Sequence, residues 1–223
     1  EFKSLKKDYG LNKFFMQHPE ITYDGGLIFH SRSPLVKIDF NSQIIWVNDN
    51  DIYRYSINTD SDGNIYVPSH KHPFSLKVSD YVGKRKNTLD DKFFYDDAIN
   101  ILDNNGNLIF SKSVNEIFIE NGLVGKIFSQ ADFHNDPLHL NDIQPVLEDS
   151  LYFKKGDLFL SLRKLSVVLI YRPSTNKIIK IIDGGFFNQY DVDILNEKTI
   201  SIYNNNVFWN YDNKRVVLNN EIV

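Results

Sequence analysis

Seven side chains in the second half of the chain are of types that strand packing does not call for: His139, Asn141, Asp142, Arg163, Gln189, Asp191 and Asp193. They fall at or beside the ends of short apolar runs, where a sheet protein offers side chains to a ligand. Arg163 carries a planar, permanently charged fork that suits an oxyanion. Its plainer reading is a strand-end arginine paired with Asp142 or Asp191. His139 has the chemistry of an acid, a base or a second oxyanion donor near neutral pH. Its plainer reading is a buried imidazole bonded to Asn141.

Other candidates are weaker. His70 and His72 are spaced for one face of a strand and could hold a metal with Asp60 or Asp62, but no third ligand stands at a clear spacing. Asp60, Asp62 and Asn64 imitate the opening of a calcium loop; the glycine is misplaced and no glutamate closes the loop, so a hairpin turn accounts for them better. His18, His30 and His134 have no partner that spacing identifies. There is no phosphate-cradling glycine loop and no G-x-S-x-G elbow. Neither a metal nor a cofactor is expected.

The bulk numbers narrow the field further. A chain of 223 residues that is 42% hydrophobic can bury a substantial core. A formal net charge of -4 lacks the basic excess that phosphate-backbone binding needs, which argues against nucleic acid as a partner. The run Lys84-Arg85-Lys86, followed by Asp90-Asp91, reads as a solvated loop. With no cysteine there are no disulfides, thiolate nucleophiles or cysteine metal sites. No apolar run approaches the ~20 residues that cross a bilayer as a helix. The chain opens on Glu1 and ends just after a strand-like segment, Arg215 to Leu218, so residues 1–223 are expected to be one domain truncated at both ends.

The elements that must position these side chains are strands. From His139 to Asn206, short apolar runs alternate with Gly, Pro, Asn, Asp and Ser clusters, the pattern of antiparallel strands joined by tight turns. Strands are likewise predicted at Leu27 to Phe29, Leu35 to Asp39, Gln43 to Val47, Ile99 to Leu102 and Leu108 to Ser111. Residues 71–95 read as an irregular, charged excursion. SVNEIFIENGLVG fits a short helix and a strand equally well. Two echoes stand out. Ile57-Asn58 and Gly63-Asn64 recur at Ile99-Asn100 and Gly106-Asn107, and GGLIFHSRSPLVKIDFNSQIIW at 25–46 aligns with residues 156–180, bringing Arg32 opposite Arg163. Recurrence every ~40 to 50 residues with about four strands per unit predicts an all-β fold, a β-propeller of four-stranded antiparallel blades, with about five of them in this chain.

The runs DPLHLNDIQPV, KKGDLFLSLR, YRPSTNKII, NQYDVDIL and ISIYNNN, with LIFHSRSPLVKID, IIWVNDND and DGNIYVPS upstream, resemble the bacterial aryl-sulfate sulfotransferases. That resemblance covers about Gly25 to Asn206. It implies a six-bladed propeller at the periplasm or cell envelope that moves a sulfuryl group from an aryl sulfate to a phenol, with no nucleotide donor and no cofactor. It also implies a site at the channel mouth made of histidines from different blades and an arginine. His139 and Asn141 match the family's HxN motif, and Arg163 closes its SLR motif. The family's nucleophilic histidine follows a glutamine; here Gln189 is followed by Tyr190, and Tyr55 stands in the place of a further histidine. On this carry-over His139, Arg163, Tyr190 and Tyr55 are the expected catalytic residues, and Asn141, Gln189 and Asp191 the expected substrate-binding ones. Arg163 is the cation expected to lower the pKa of Tyr190. The two tyrosines imply weakened catalysis, and they keep open a second reading: a non-catalytic propeller that binds an anionic or aromatic ligand, or a partner protein, in the same mouth.

Overall fold

A computed structural model describes residues 16–31, 33–82, 94–128, 134–210, 212, 214–218 and 221–222. Three four-stranded antiparallel sheets follow one another along the chain, each a meander with its strands in sequence order. Sheet one comprises β1 (Gln17–Ile21), β2 (Leu27–His30), β3 (Leu35–Ile38) and β4 (Ile44–Asn48). Sheet two comprises β5 (Asn58–Thr59), β6 (Ile65–His70), β7 (Asp97–Leu102) and β8 (Leu108–Ser113). Sheet three comprises β9 (Leu140–Pro145), β10 (Leu158–Leu162), β11 (Val167–Arg172) and β12 (Lys177–Ile182). Next come β13 (Val192–Ile194), β14 (Ile200–Asn204), β15 (Val207–Trp209), β16 (Arg215–Val217) and β17 (Glu221–Ile222). Of these, β13, β14 and β17 form a three-stranded sheet and β15 pairs with β16.

The two sequence echoes have different physical meanings. Residues 25–46 and 156–180 fall on the second to fourth strands of sheets one and three, so the longer echo relates equivalent places in separate sheets. Arg32 lies outside the described residues. The shorter echo lies within sheet two, where it repeats one hairpin chemistry. Asp60 Oδ1 accepts from Asp62 N at 3.0 Å and Asn64 N at 2.9 Å, and Asp103 Oδ1 accepts from Asn105 N at 2.9 Å and Asn107 N at 2.8 Å. Each turn is completed by a left-handed glycine, Gly63 at φ +78 and Gly106 at φ +81. A carboxylate folded onto its own turn in this way leaves nothing for a calcium ion to organise.

Strands are the main regular structure among the described residues, where three short α-helices break the expected uniformity: α1 (Leu76–Val82), α2 (Val114–Glu120) and α3 (Val124–Phe128). The first occupies part of the stretch read as irregular; Lys84-Arg85-Lys86 lies outside the described residues. The ambiguous SVNEIFIENGLVG is settled by its ends. Ser113 Oγ accepts from Glu116 N at 3.0 Å, the N-terminal cap that its S-x-x-E spacing provides. Val114, Ile117 and Phe118 are then buried at helical spacing. They pack with Ile99 of β7, Leu140 of β9 and Leu160 of β10, joining sheets two and three. Ile28, Leu35, Ile57, Ile65 and Leu102 play the same part between sheets one and two, and Phe159, Val168, Val192 and Ile202 between sheet three and the strands after it. Each such side chain contributes about 1.5–3 kcal/mol by leaving water. No helix among the described residues is long and apolar enough to cross a membrane.

Sheets one and two are also keyed together by the second of those hairpins. Trp46 Nε1 donates to Asn104 O at 3.0 Å, Asn48 Nδ2 donates to Gly106 O at 2.8 Å, and the buried Lys37 donates to Asn104 Oδ1 at 2.7 Å. A Cβ on Gly106 would lie 2.9 Å from the Trp46 ring, whereas one on Gly63 would meet only Asn104 at 3.4 Å. We expect Gly106→Ala to lose more stability in urea denaturation than Gly63→Ala. Both bear the left-handed backbone cost of about 1–3 kcal/mol, but only the first must also displace an indole from its hydrogen bond.

Candidate active site

The chain enters the first strand of each sheet through a polar or aromatic residue, and these entry points meet. His18 lies at the start of β1, His139 directly precedes β9, and Tyr55 and Tyr190 lie three and two residues ahead of β5 and β13. His18, Tyr55 and His139 have left-handed backbones, with φ of 43, 61 and 57. That conformation is costly for large side chains and persists only where the surroundings enforce it. Before β13 the left-handed residue is Asn188, two positions ahead of Tyr190. The rings of Tyr55 and His139 are 5.0 Å apart, Tyr55 and Tyr190 meet edge to face at 6.1 Å, and His18 lies 6.1 Å from Tyr190.

Backbone pairing between sheets brings these residues together. Ser56 N donates to Asn141 O at 3.2 Å, which sets the approach to β5 against β9. Asn141 is fully buried and donates through Nδ2 to Gln189 O at 3.0 Å, fixing the approach to β13. Gln189, also fully buried, donates to Ser161 Oγ at 3.2 Å and Val167 O at 2.8 Å. Asn141 and Gln189, expected to touch substrate, thus use their amide nitrogens to join sheets, while Asn141 Oδ1 and Gln189 Oε1 are buried without a hydrogen-bond partner among the described residues. Asp191 faces the cluster's edge, where its carboxylate is 3.8 Å from His18 Nε2. His18, Tyr190, Asp191, Asp193, Ser201 and Tyr203 line a cavity of about 320 Å³.

At the centre is a line of hydrogen bonds. Asp136 pairs with His139 Nδ1, His139 Nε2 is 2.8 Å from the Tyr55 hydroxyl, and Arg54 Nη2 donates to that same hydroxyl at 2.6 Å. Arg54 Nη1 reaches His70 Nε2 at 2.8 Å, and its guanidinium lies over the Tyr55 ring, 4.7 Å from the centroid. Burial works to raise the Asp136 pKa, but the hydrogen bond from His139 and the charges of Arg54 and Lys164 oppose it, and the carboxyl is held below its ordinary value. An ionised Asp136 accepts a hydrogen bond from His139 Nδ1–H, and in the neutral imidazole that tautomer leaves the Nε2 lone pair to accept from Tyr55. Neither plainer reading of the sequence survives: His139 bonds Asp136 and Tyr55 rather than Asn141, and among the described residues Arg163 pairs with neither Asp142 nor Asp191. Arg163 N donates to His139 O at 3.1 Å, and its guanidinium makes no ion pair among the described residues.

The two phenols differ in their electrostatics. Burial pushes the Tyr55 pKa up to about 12, opposed by the positive charges of Arg54 and Arg163. Burial raises Tyr190 further, with Tyr55, Asp191 and Asp142 adding to the rise. Arg163 therefore acts on Tyr55, and the expectation that it lowers Tyr190 gives way, because no positive charge offsets the burial of Tyr190. His70 spends Nε2 on Arg54, and no cluster of three or more metal-ligating side chains occurs among the described residues. Sequence reasoning missed Arg54 and Asp136 and found no partner for His18. Asp136 lies in the same DPLHLN run as His139, Arg54 adjoins Tyr55, and His18 lies at the start of β1.

Consecutive antiparallel sheets thus gather phenols, imidazoles and a guanidinium at one place near their strand ends. The arylsulfotransferase (ASST) family model matches residues 18–222, and the chain belongs to that family. None of the curated proteins compared matches the sequence. Among solved structures, a protein of unknown function from Bacteroides caccae is 13% identical with a TM-score of 0.51 over 91% of this chain and 61% of its own. This chain therefore spans about three-fifths of that relative's length, and the likeness bears on fold alone. Virginiamycin B lyase from Staphylococcus aureus is 9% identical with a TM-score of 0.47 over 93% of this chain and 54% of its own. A streptogramin B lyase is 11% identical with a TM-score of 0.42 over 90% of this chain and 67% of its own. Those two likenesses are too loose to bear on either fold or function.

One buried carboxyl beside the cluster should report on its assembly. Asp142 accepts from Asn58 Nδ2 at 2.7 Å and Val192 N at 3.2 Å, linking β5, β9 and β13. Burial and the charge of Asp191 push its pKa up to about 8. An unfolded aspartate titrates near ~3.9, so the folded state holds an extra proton between those values and stability falls as pH rises through that window. Asp96, raised to about 6 chiefly by burial, acts in the same direction at lower pH. Between pH 6 and 8 the urea midpoint should therefore fall in the natural protein, and Asp142→Asn should flatten the slope.

Proposed function

We propose that this protein transfers a sulfuryl group from an aryl sulfate to a phenolic acceptor, at a site formed by His139, Arg163, Tyr55 and Tyr190 at the mouth of a β-propeller. The sheets would be its blades, set around an axis, and residues 1–223 one propeller domain. Family resemblance points to the periplasm or cell envelope as the place of action. The observation that carries the reading is a guanidinium without a carboxylate partner, that of Arg163, beside the hydrogen-bonded Tyr55 and His139 in a chain of the arylsulfotransferase family.

Sulfuryl transfer shifts negative charge among three sulfonyl oxygens and onto the departing phenol oxygen. Arg163 supplies a permanent charge and a planar array of donors for the sulfonyl group. His139, oriented by Asp136, moves the proton that the departing phenolate must gain. Tyr190 presents a neutral ring to the aryl group, and its raised pKa suits it to packing rather than attack. Asn141, Gln189 and Asp191 support these groups: the first two by joining sheets, the third beside His18.

The specific observation behind the binding-module reading is the pair of tyrosines where the family has histidines. Turnover separates the two. With 4-nitrophenyl sulfate as donor and a phenol as acceptor, the natural protein should release 4-nitrophenol, and Arg163→Ala should lower kcat/KM by roughly 10²- to 10³-fold. Saturable binding of the aryl sulfate with no release would favour the binding module.

A further inference from the structure

We propose that Tyr55 carries the sulfuryl group between donor and acceptor as a transient tyrosine O-sulfate, with His139 as its base, Asp136 as the positioning carboxylate and Arg54 as the donor to its phenolic oxygen. This rests on the sulfuryl-transfer reading and identifies the nucleophile within it. The argument begins with the proton on Tyr55. Arg54 Nη2 occupies one side of the hydroxyl as a donor at 2.6 Å, and a guanidinium nitrogen has no lone pair to offer in return. The Tyr55 proton therefore points to His139 Nε2, 2.8 Å away. Asp136 on Nδ1 holds the imidazole in the tautomer that can receive it. Nucleophile, base and orienting carboxylate stand in line, an arrangement that activates a hydroxyl whose own pKa lies well above the working pH.

Arg54 adds what a hydroxyl nucleophile of this kind needs. As the proton leaves, charge develops on the phenolic oxygen, and a cationic donor already aimed at that atom stabilises it without rearrangement. Tyr190 has none of this: among the described residues no base bonds its hydroxyl, and its charged neighbours are carboxylates. The left-handed backbone at Tyr55 is a second mark of a position held by its surroundings, shared with His139 but not with Tyr190.

The step balances. A bond forms between Tyr55 Oη and the donor's sulfur while the bond from sulfur to the donor's phenol oxygen breaks, that oxygen keeping the electron pair. The Tyr55 proton passes to His139 Nε2 and from there to the departing phenolate. Aryl sulfate and tyrosine thus become phenol and tyrosine sulfate, with no oxidant, reductant or metal. A tyrosine sulfate is itself an aryl sulfate, so the reverse steps with an acceptor phenol regenerate Tyr55 at little net cost in free energy.

The test uses the whole chain and 4-nitrophenyl sulfate without acceptor, quenched rapidly, with peptide mass mapping for the gain of one SO₃ group. The expected result is an adduct on Tyr55, formed in the natural protein and in Tyr190→Phe, discharged by added phenol and absent from Tyr55→Phe. Asp136→Asn should still label Tyr55, but roughly 10²- to 10⁴-fold more slowly and with an altered pH profile, since it misorients the base rather than removing the nucleophile. Turnover with the adduct on Tyr190, His139 or His18, or turnover undiminished in Tyr55→Phe, overturns the assignment to Tyr55 and leaves sulfuryl transfer standing. Neither turnover nor adduct, in natural protein whose urea midpoint matches that of Tyr55→Phe, overturns both.

Discussion

Two adjacent side chains of β9 hold the first strands of three sheets in register. Asn141 and Asp142 are both fully buried, and neither is bonded within its own strand's ladder alone: Asn141 reaches the residue before Tyr190, while Asp142 takes a donor from β5 and another from β13. Burying such groups without partners would cost several kcal/mol. Their bonds therefore specify which strand lies beside which, something an apolar contact, being non-directional, does weakly. Everything at the candidate site follows from this constraint. A shift of β5 relative to β9 would break the Ser56 N to Asn141 O and Asn58 Nδ2 to Asp142 bonds that hold Tyr55 near His139.

The sequence made the strands and their turns legible because both depend on local chemistry. Asp-x-x-Gly-Asn turns and alternating apolar runs need no tertiary information. The same locality misled the repeat argument. The echo between Ile57 to Asn64 and Ile99 to Asn107 came from two hairpins of one sheet folding by the same turn, and only the longer echo relates separate sheets. α1 was hidden in a polar stretch whose buried positions, Val78 and Val82, are too few to give a clear helical period. For α2 the period was ambiguous, and the Ser113 cap was the cue that should have decided it.

At the site, sequence picked out most of the side chains and few of their partners. His139, Tyr55 and Tyr190 do gather, because the approaches to successive first strands are brought to one place by the stacking of the sheets, and Arg163, just past the end of β10, joins them through its backbone bond to His139 O. Which group each one touches was not legible, since partners such as Tyr55 and His139 are distant along the chain. Gln189 shows the same limit from the other side. A polar residue beside a strand entry reads as ligand-facing, yet Gln189 is fully buried and its Nε2 donates to Ser161 and Val167 inside the structure.

A tyrosine where the family resemblance implies a histidine is compatible with nucleophilic chemistry, because the two side chains ask different things of their surroundings. A neutral imidazole attacks with its own lone pair and needs no base. A buried phenol needs a base for its proton and a cation for its oxygen, and burial alone works against it. Of the two tyrosines here, both buried enough for burial to dominate their pKa, one has acquired both requirements and the other neither. The difference is set by what lies next to each. Tyr55 follows directly on Arg54 and meets the His139 and Asp136 pair, while Tyr190 is followed by Asp191 and lies near Asp142. Electrostatic surroundings, more than residue type or place in the motif, thus separate a phenol equipped to react from one equipped to pack.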